Sequence, residues 1–350
     1  MDNNTRAKLF NWIGHLGKAY GVHPRVIEQA KSFVATGQVE QALAKDLKEK
    51  SSLLSKINVK SVSQIMGKKL GMNTNQNIAS NTDTSGAGER NPNQVFSGMD
   101  EDSYICRQTN YDTAITYDQL DEWSEFKNFM KLIQDSINTT IANNKATIGW
   151  YGETWVANSN IGTNPMMQDV NIGWFQKIRD NASSQMLPEG GTPGEIRFGA
   201  GGDFENLDHA VEELKGGIPS HKQNQAGMVV LVGSDLLSQQ RIDLYKAHGA
   251  TPTEKERVEV TAVTSTFGNL PLATEISFPG RGLMIVPWKN LGIYTQKGST
   301  RRSIKDNSKK DQIENYLSMR EAYVVEDYQS VATWEFKNVK LPNAAGDGWE

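Results

Sequence analysis

Two pairs of adjacent carboxylates, Glu212-Glu213 and Glu326-Asp327, are by type the residues best suited to proton transfer. Acid–base chemistry needs one carboxyl held protonated and the other charged around a single substrate atom. Solvated carboxylates on a surface or loop account for such dipeptides without a site. Gly233-Ser234-Asp235 presents a serine beside a carboxylate but lacks the second glycine of a nucleophile elbow. The histidines are His15, His23, His209, His221 and His248. None lies within four residues of another or beside a cysteine, so the local spacings of zinc ligands are absent. Gly199-Ala200-Gly201-Gly202 shares glycines with a dinucleotide fingerprint but has no third glycine at the right distance and follows no clear strand. No Gly-x-x-x-x-Gly-Lys-Ser/Thr phosphate loop occurs. Cys106 is the single cysteine, which excludes an internal disulfide framework and reads as a small buried hydrophobe. These residues predict no catalytic set, no cofactor and no metal, and so an interaction protein rather than an enzyme.

Charge adds a second constraint. Residues 1–70 carry 12 Lys/Arg against 5 Asp/Glu, whereas residues 71–350 carry 25 against 36. A basic N-terminal segment can bind nucleic acid, and Trp12, Tyr20 and Phe33 are interleaved with it. Their helical spacing suits packing better than base stacking, and the acidic remainder would repel DNA. No run approaches the roughly 18 apolar residues of a membrane span. No apolar run follows the first residues, Met1-Asp2-Asn3-Asn4-Thr5, as it would in a signal peptide. The expected setting is a cytoplasm, with no membrane partner.

The elements that must position these residues are mixed. Leu9, Trp12, Ile13, Leu16 and Tyr20 recur at helical spacing, as do Val26, Ile27, Ala30, Phe33 and Val34 up to Gly37. Val39, Leu43, Leu47 and Leu54 mark a third helical segment, and residues 56–70 read as extended. From Gly71 to Glu101, 19 of 31 residues are Gly, Asn, Ser, Thr, Asp or Pro. A structureless loop of that length is uncommon inside a compact domain, so something outside its own core must order it. Alternation returns at Tyr104–Ile115. Thr116 and Gln119 then form a capping box, with Ile115 and Leu120 placed as a hydrophobic staple. Leu120, Trp123, Phe126, Phe129, Ile133, Ile137 and Ile141 make one apolar stripe toward Gly149. Helices are predicted at 170–179, 207–214 and 236–248. Strands are predicted at 228–232, 258–263, 270–278, 282–287, 291–296 and within 313–340. Pro252–Glu256 and Thr300–Asp311 read as exposed loops. Helices and strands without regular alternation predict an α+β fold.

Several strings, in order along nearly the whole chain, carry a resemblance. They are Ile78-Ala79-Ser80-Asn81-Thr82-Asp83-Thr84, Asn164-Pro165-Met166-Met167-Gln168-Asp169-Val170 and Gly173-Trp174-Phe175-Gln176-Lys177, then Gly268-Asn269-Leu270-Pro271, Glu314-Asn315-Tyr316-Leu317-Ser318-Met319 and Tyr323-Val324-Val325-Glu326-Asp327-Tyr328. With them the chain resembles the major capsid proteins of tailed phages of the peduovirus type, which have the Hong Kong 97-type fold. The resemblance implies an N-terminal helical arm at 1–55, part of which relatives lose to a maturation protease. It implies an extended hairpin at 56–103 reaching over a neighbour, and a peripheral domain at 104–149 whose spine helix covers 117–147. An axial domain at 150–300, peripheral return strands at 301–341 and a flexible tail at 342–350 complete it. The segments near 185–200 and 220–227 depart from the family pattern.

The implied function is an icosahedral shell subunit forming hexamers and pentamers of itself around packaged double-stranded DNA. Its implied partners are a scaffolding protein or maturation protease and a portal protein, with assembly in the host cytoplasm. The same fold would serve a satellite element or an encapsulin-like compartment. Lys68, Lys69, Glu89 and Arg90 are the candidate charged contacts of the hairpin.

Overall fold

The computed structural model describes residues 32–68, 81, 103–123, 129–248, 266–343 and 348–350, with positions 6–8, 10, 11, 13, 14 and 23 before them. A seven-stranded sheet is organised around β15 (Gln312–Val325). This strand pairs antiparallel with β14 (Arg301–Asn307), β13 (Leu291–Gln296), β5 (Arg107–Asn110) and β6 (Thr113–Thr116). β13 carries β2 (Asn58–Val62) in parallel, and β14 carries β1 (Phe33–Val34). A six-stranded sheet runs in the order β10 (Thr266–Phe267), β11 (Leu270–Ala273), β9 (Met228–Val232), β12 (Leu283–Pro287), β16 (Ala332–Trp334), β7 (Met186–Leu187). Two short ribbons complete the strands. In one, β3 (Met66–Lys68) pairs with β4 (Ser103–Ile105); in the other, β8 (Ile196–Arg197) pairs with β17 (Val339–Lys340).

The apolar run at β9 shows why this strand sits centrally. All five of its residues are buried, but they serve two cores. Val229 and Leu231 point into the largest cluster, and Met228, Val230 and Val232 into a second one beneath α6 (Leu207–Gly216). β12 divides the same way, Met284 and Val286 against Leu283 and Ile285. Period-2 alternation across a sheet covered on both faces produces this split. The largest cluster also takes Ile293, Leu317, Met319, Tyr323 and Val325 from the other sheet, so one core joins the two.

Helices close this core. α4 (Phe129–Tyr151) contributes Ile141, Ala142, Ala146, Ile148 and Trp150, and α5 (Trp174–Asn181) contributes Trp174, Phe175 and Ile178. The two approach closely because Gly149, Gly152 and Gly173 lack side chains. A Cβ on Gly149 would overlap the Trp174 ring, and one on Gly173 would meet the Ile148 and Gly149 carbonyls. Trp150 and Trp174 meet edge to face at 4.6 Å between centroids.

Several expectations are corrected. Phe33–Val34 is a strand rather than the end of a helix, because Phe33 and Val34 pair with Arg302 and Arg301 and Phe33 packs beside Ile304. Residues 301–307, expected in an exposed loop, form β14; Arg302 and Ile304 turn inward while Arg301 and Lys305 face solvent. The 117–147 helix is two helices, α3 (Tyr117–Trp123) and α4, with 124–128 outside the described residues, and Trp123 is exposed rather than in a buried stripe. The strand expected at 270–278 ends at Ala273, and that at 258–263 lies outside the described residues.

The structure also redraws domain edges. α1 (Gly37–Lys50) and α2 (Ser52–Lys56) belong to the body, not to a separate arm, since Leu47, Leu53 and Leu54 enter the largest core. β2 lies in the main sheet rather than in the hairpin. The edge at residue 300 dissolves: β13 joins the sheet of β15, and β16 joins the other sheet. Strand partners across long sequence separations decide these edges, and composition does not show them.

Candidate assembly surfaces

The residues with chemical potential are engaged inside the fold. Glu326 accepts hydrogen bonds from Asn58 Nδ2 (2.6 Å), Lys60 Nζ (3.2 Å) and the Tyr294 hydroxyl (2.8 Å), tying β2 and β13 to the end of β15. Burial opposes charge on Asp327. Donation from Lys222 Nζ at 2.7 Å and Ser330 Oγ at 2.6 Å outweighs it, so its carboxyl stays below the ordinary range. Glu212 and Glu213 are exposed on α6. Ser234 donates to Asp235 at 2.9 Å on the exposed first turn of α7 (Ser234–His248). Cys106 is buried, and burial pushes its thiol up to about 11. Among the described residues no group of three or more His, Cys, Asp or Glu could hold a metal ion.

One buried polar pair escaped the sequence reading. Lys145 of α4 bonds Glu321 of β15, both essentially without solvent contact. The Tyr111 hydroxyl donates to the same carboxylate at 2.8 Å, and Asn171 Nδ2 donates to the Glu321 carbonyl at 3.0 Å. Burial drives the Lys145 amine down to about 7 and the Tyr111 hydroxyl well above its usual value. The signal was present: Lys145 stands four residues after Ile141 and three before Ile148, on the buried face of α4.

Among the described residues, several exposed features stand out at the surface. The β3–β4 ribbon exposes Met66 and Ile105, which face each other across it, with Ile65 just before β3. The loop after α4 exposes Trp155, Val156 and Ile161, the last at 72%. Asp169 shapes this loop by accepting from Asn160 N (2.7 Å) and Asn164 Nδ2 (3.1 Å). Trp155 stacks under Arg107, which places the loop beside the ribbon. The third feature is the turn between β14 and β15 with the adjoining α3. Lys305, Ser308, Lys309, Lys310 and Asp311 are exposed there.

Of the four candidate contacts, Lys68 ends the ribbon opposite Ser103. Lys69, Glu89 and Arg90 lie outside the described residues.

The family model described as phage major capsid protein, P2 family, matches residues 9–336. The chain belongs to the P2 family of phage major capsid proteins. It is 33% identical over 335 residues to the capsid proteins of Escherichia phage P2, covering 94% of this chain and 93% of that sequence. It is 32% identical to the major capsid protein of Serratia phage KSP20, covering 95% and 96%. A solved structure, the satellite phage P4 procapsid including size determination (Sid) protein, superimposes with a TM-score of 0.70 at 34% identity. That match covers 86% of this chain and 99% of the other. The α+β fold is of the Hong Kong 97 type, and this P2-family chain is a structural protein of the virion capsid. Capsid proteins assemble into shells of themselves.

Proposed function

We propose that the chain self-assembles into hexamers and pentamers that close an icosahedral shell around packaged double-stranded DNA, without catalysis. The observation carrying this reading is the near end-to-end match to P2-family capsid proteins. The exposed ribbon and loop around Met66, Ile105, Trp155 and Ile161 support it. Heterologous contacts that close around symmetry axes give rings and then shells, and many modest contacts sum through multivalency. In this reading the hairpin expected at 56–103, of which the β3–β4 ribbon is described, lies on a neighbour, with Lys68, Lys69, Glu89 and Arg90 as its charged contacts. The sheet of β9 and β12 forms the axial part, and the sheet of β15 the peripheral part. A scaffolding protein, a portal protein and a maturation protease are the further partners, and assembly takes place in the host cytoplasm.

Co-expression with the scaffolding protein, followed by electron microscopy, tests this. Closed shells are expected; a persistent monomer would end the proposal. Intact-mass measurement of finished particles should show a subunit shortened within residues 1–40, and retention of Met1 or Asp2 would exclude processing.

A further inference from the structure

The geometry points to the cavity between α1 and the seven-stranded sheet as a binding site for a short aliphatic carboxylate, its tail inside the cavity and its carboxylate on Lys48. The cavity offers about 60 Å³ to water-sized groups. At about 15 Å³ for each such group, that takes a tail of about four or five carbons. Its walls are Leu43 and Leu47 of α1, Leu54 of α2, Val59 of β2, Ile293 of β13 and Met319 of β15. Leu47, Leu54, Ile293 and Met319 are buried, and Leu43 and Val59 are half-buried toward the mouth. Side chains around an apolar void forgo dispersion contacts that a hydrocarbon tail supplies.

Three charged residues line the cavity: Glu40, Lys48 and Lys145. Two of them are engaged within the fold. The Lys145 amine bonds Glu321 and meets the Met319 sulfur at 3.2 Å. The Glu40 carboxylate accepts from the Gly298 and Thr300 backbone N–H groups, at 2.9 and 3.1 Å. Lys48 is half-buried and takes part in no salt bridge among the described residues. Three and four residues away stand Ala44, Lys45, Ser51 and Ser52, so no acid within reach along the chain competes for it. An apolar chamber with one available cation at its mouth suits an amphiphile with an anionic head.

Such a ligand would bridge two parts of the body. α1 is fastened to the β13–β14 turn through Glu40 and to α4 through Lys50 and Asp135, at 3.3 Å. A tail between Leu43 and Leu47 on one side and Val59 and Ile293 on the other adds an apolar tie. Occupancy should therefore hold α1 against the sheet.

Isothermal titration calorimetry on the full-length chain at neutral pH tests this with hexanoate, hexanol and acetate. Hexanoate should bind once per chain, hexanol about fivefold more weakly, and acetate without measurable heat. From butanoate to hexanoate each methylene should tighten binding about fourfold, with no further gain at decanoate once the cavity is full. Lys48→Gln should bring hexanoate down to the affinity of hexanol and leave hexanol unchanged. Ala44→Leu, which places a larger side chain in the cavity, should abolish binding of both. Amide hydrogen exchange in α1 should slow when hexanoate saturates the wild-type chain. Absence of hexanoate binding by the wild-type chain overturns the proposal, as does full hexanoate affinity in Lys48→Gln. Equal affinity for hexanoate and hexanol in the wild type removes the carboxylate from it. Should Ala44→Leu lower the melting temperature, the chain-length series on the wild type decides, and an affinity that ignores tail length counts against the site. Loss of shells by Ala44→Leu without hexanoate binding by the wild type would give the cavity to a protein segment instead.

Discussion

At the scale of single residues, Lys145 and Glu321 are the pair on which the interior depends. Removing one member of a buried ion pair leaves the other charge without compensation, at a cost of about 3–5 kcal/mol. Lys145→Met should therefore lower stability by that amount in urea unfolding followed through tryptophan fluorescence. The pair also sets a pH dependence. The Lys145 amine sits at about 7 in the fold against an ordinary 10.5. Between those values the unfolded chain binds more protons than the folded one, so stability rises with pH across this window. Wild type should gain stability relative to Lys145→Met as pH increases from 7 to 10; parallel curves would contradict the assignment. Cys106 is a second case. With its thiol buried and raised to about 11, it should resist an aromatic disulfide reagent at pH 8 in the folded chain and react once unfolded.

At the scale of elements, legibility depended on how local the cause was. The capping box was readable because its partners are three residues apart. Thr116 N donates to Gln119 Oε1 at 3.3 Å, and Gln119 N donates to Thr116 Oγ1 at 3.4 Å, with Ile115 and Leu120 packed in one cluster. Thr116→Ala should cost about 1 kcal/mol, measured by chemical unfolding. β9 and β12 were readable from their apolar runs. β14 was missed because its charges, Arg301, Arg302, Lys305 and Asp306, suggested a solvated loop. The alternation of Arg302 and Ile304 against Arg301 and Lys305 was the available signal. It gained meaning only from pairing with β15, which follows a turn of four residues. The charged surface formed by that turn and α3 was hidden for the same reason: Asp118 and Lys309 are distant in sequence. Of the hairpin residues singled out, only Lys68 has a described position, at the end of a three-residue strand.

At the scale of the whole molecule, the chain visits both sheets more than once. After β15 it returns to the six-stranded sheet as β16, between β12 and β7. Trp334 is fully buried there, and its indole N–H donates to the Arg281 carbonyl at 2.9 Å. Ending the chain after Ser330 would remove β16 and β17, expose the edge of β12 and empty the site of an aromatic side chain. Such a truncation should fail to give soluble folded protein, assessed by protease resistance and by the fraction recovered in the supernatant. The single core spanning both sheets further predicts one unfolding transition by far-ultraviolet circular dichroism and by tryptophan fluorescence.

The 14-residue β15 bonds to four different strands along its length, two on each flank. Tension along its axis would load those ladders in shear, many bonds at once, whereas tension across it would peel them singly. A wall tile built around such a strand is anisotropic: stiff along one in-plane direction and compliant across it. The orientation of β15 relative to the hoop stress of a filled shell would set how much internal pressure each subunit withstands.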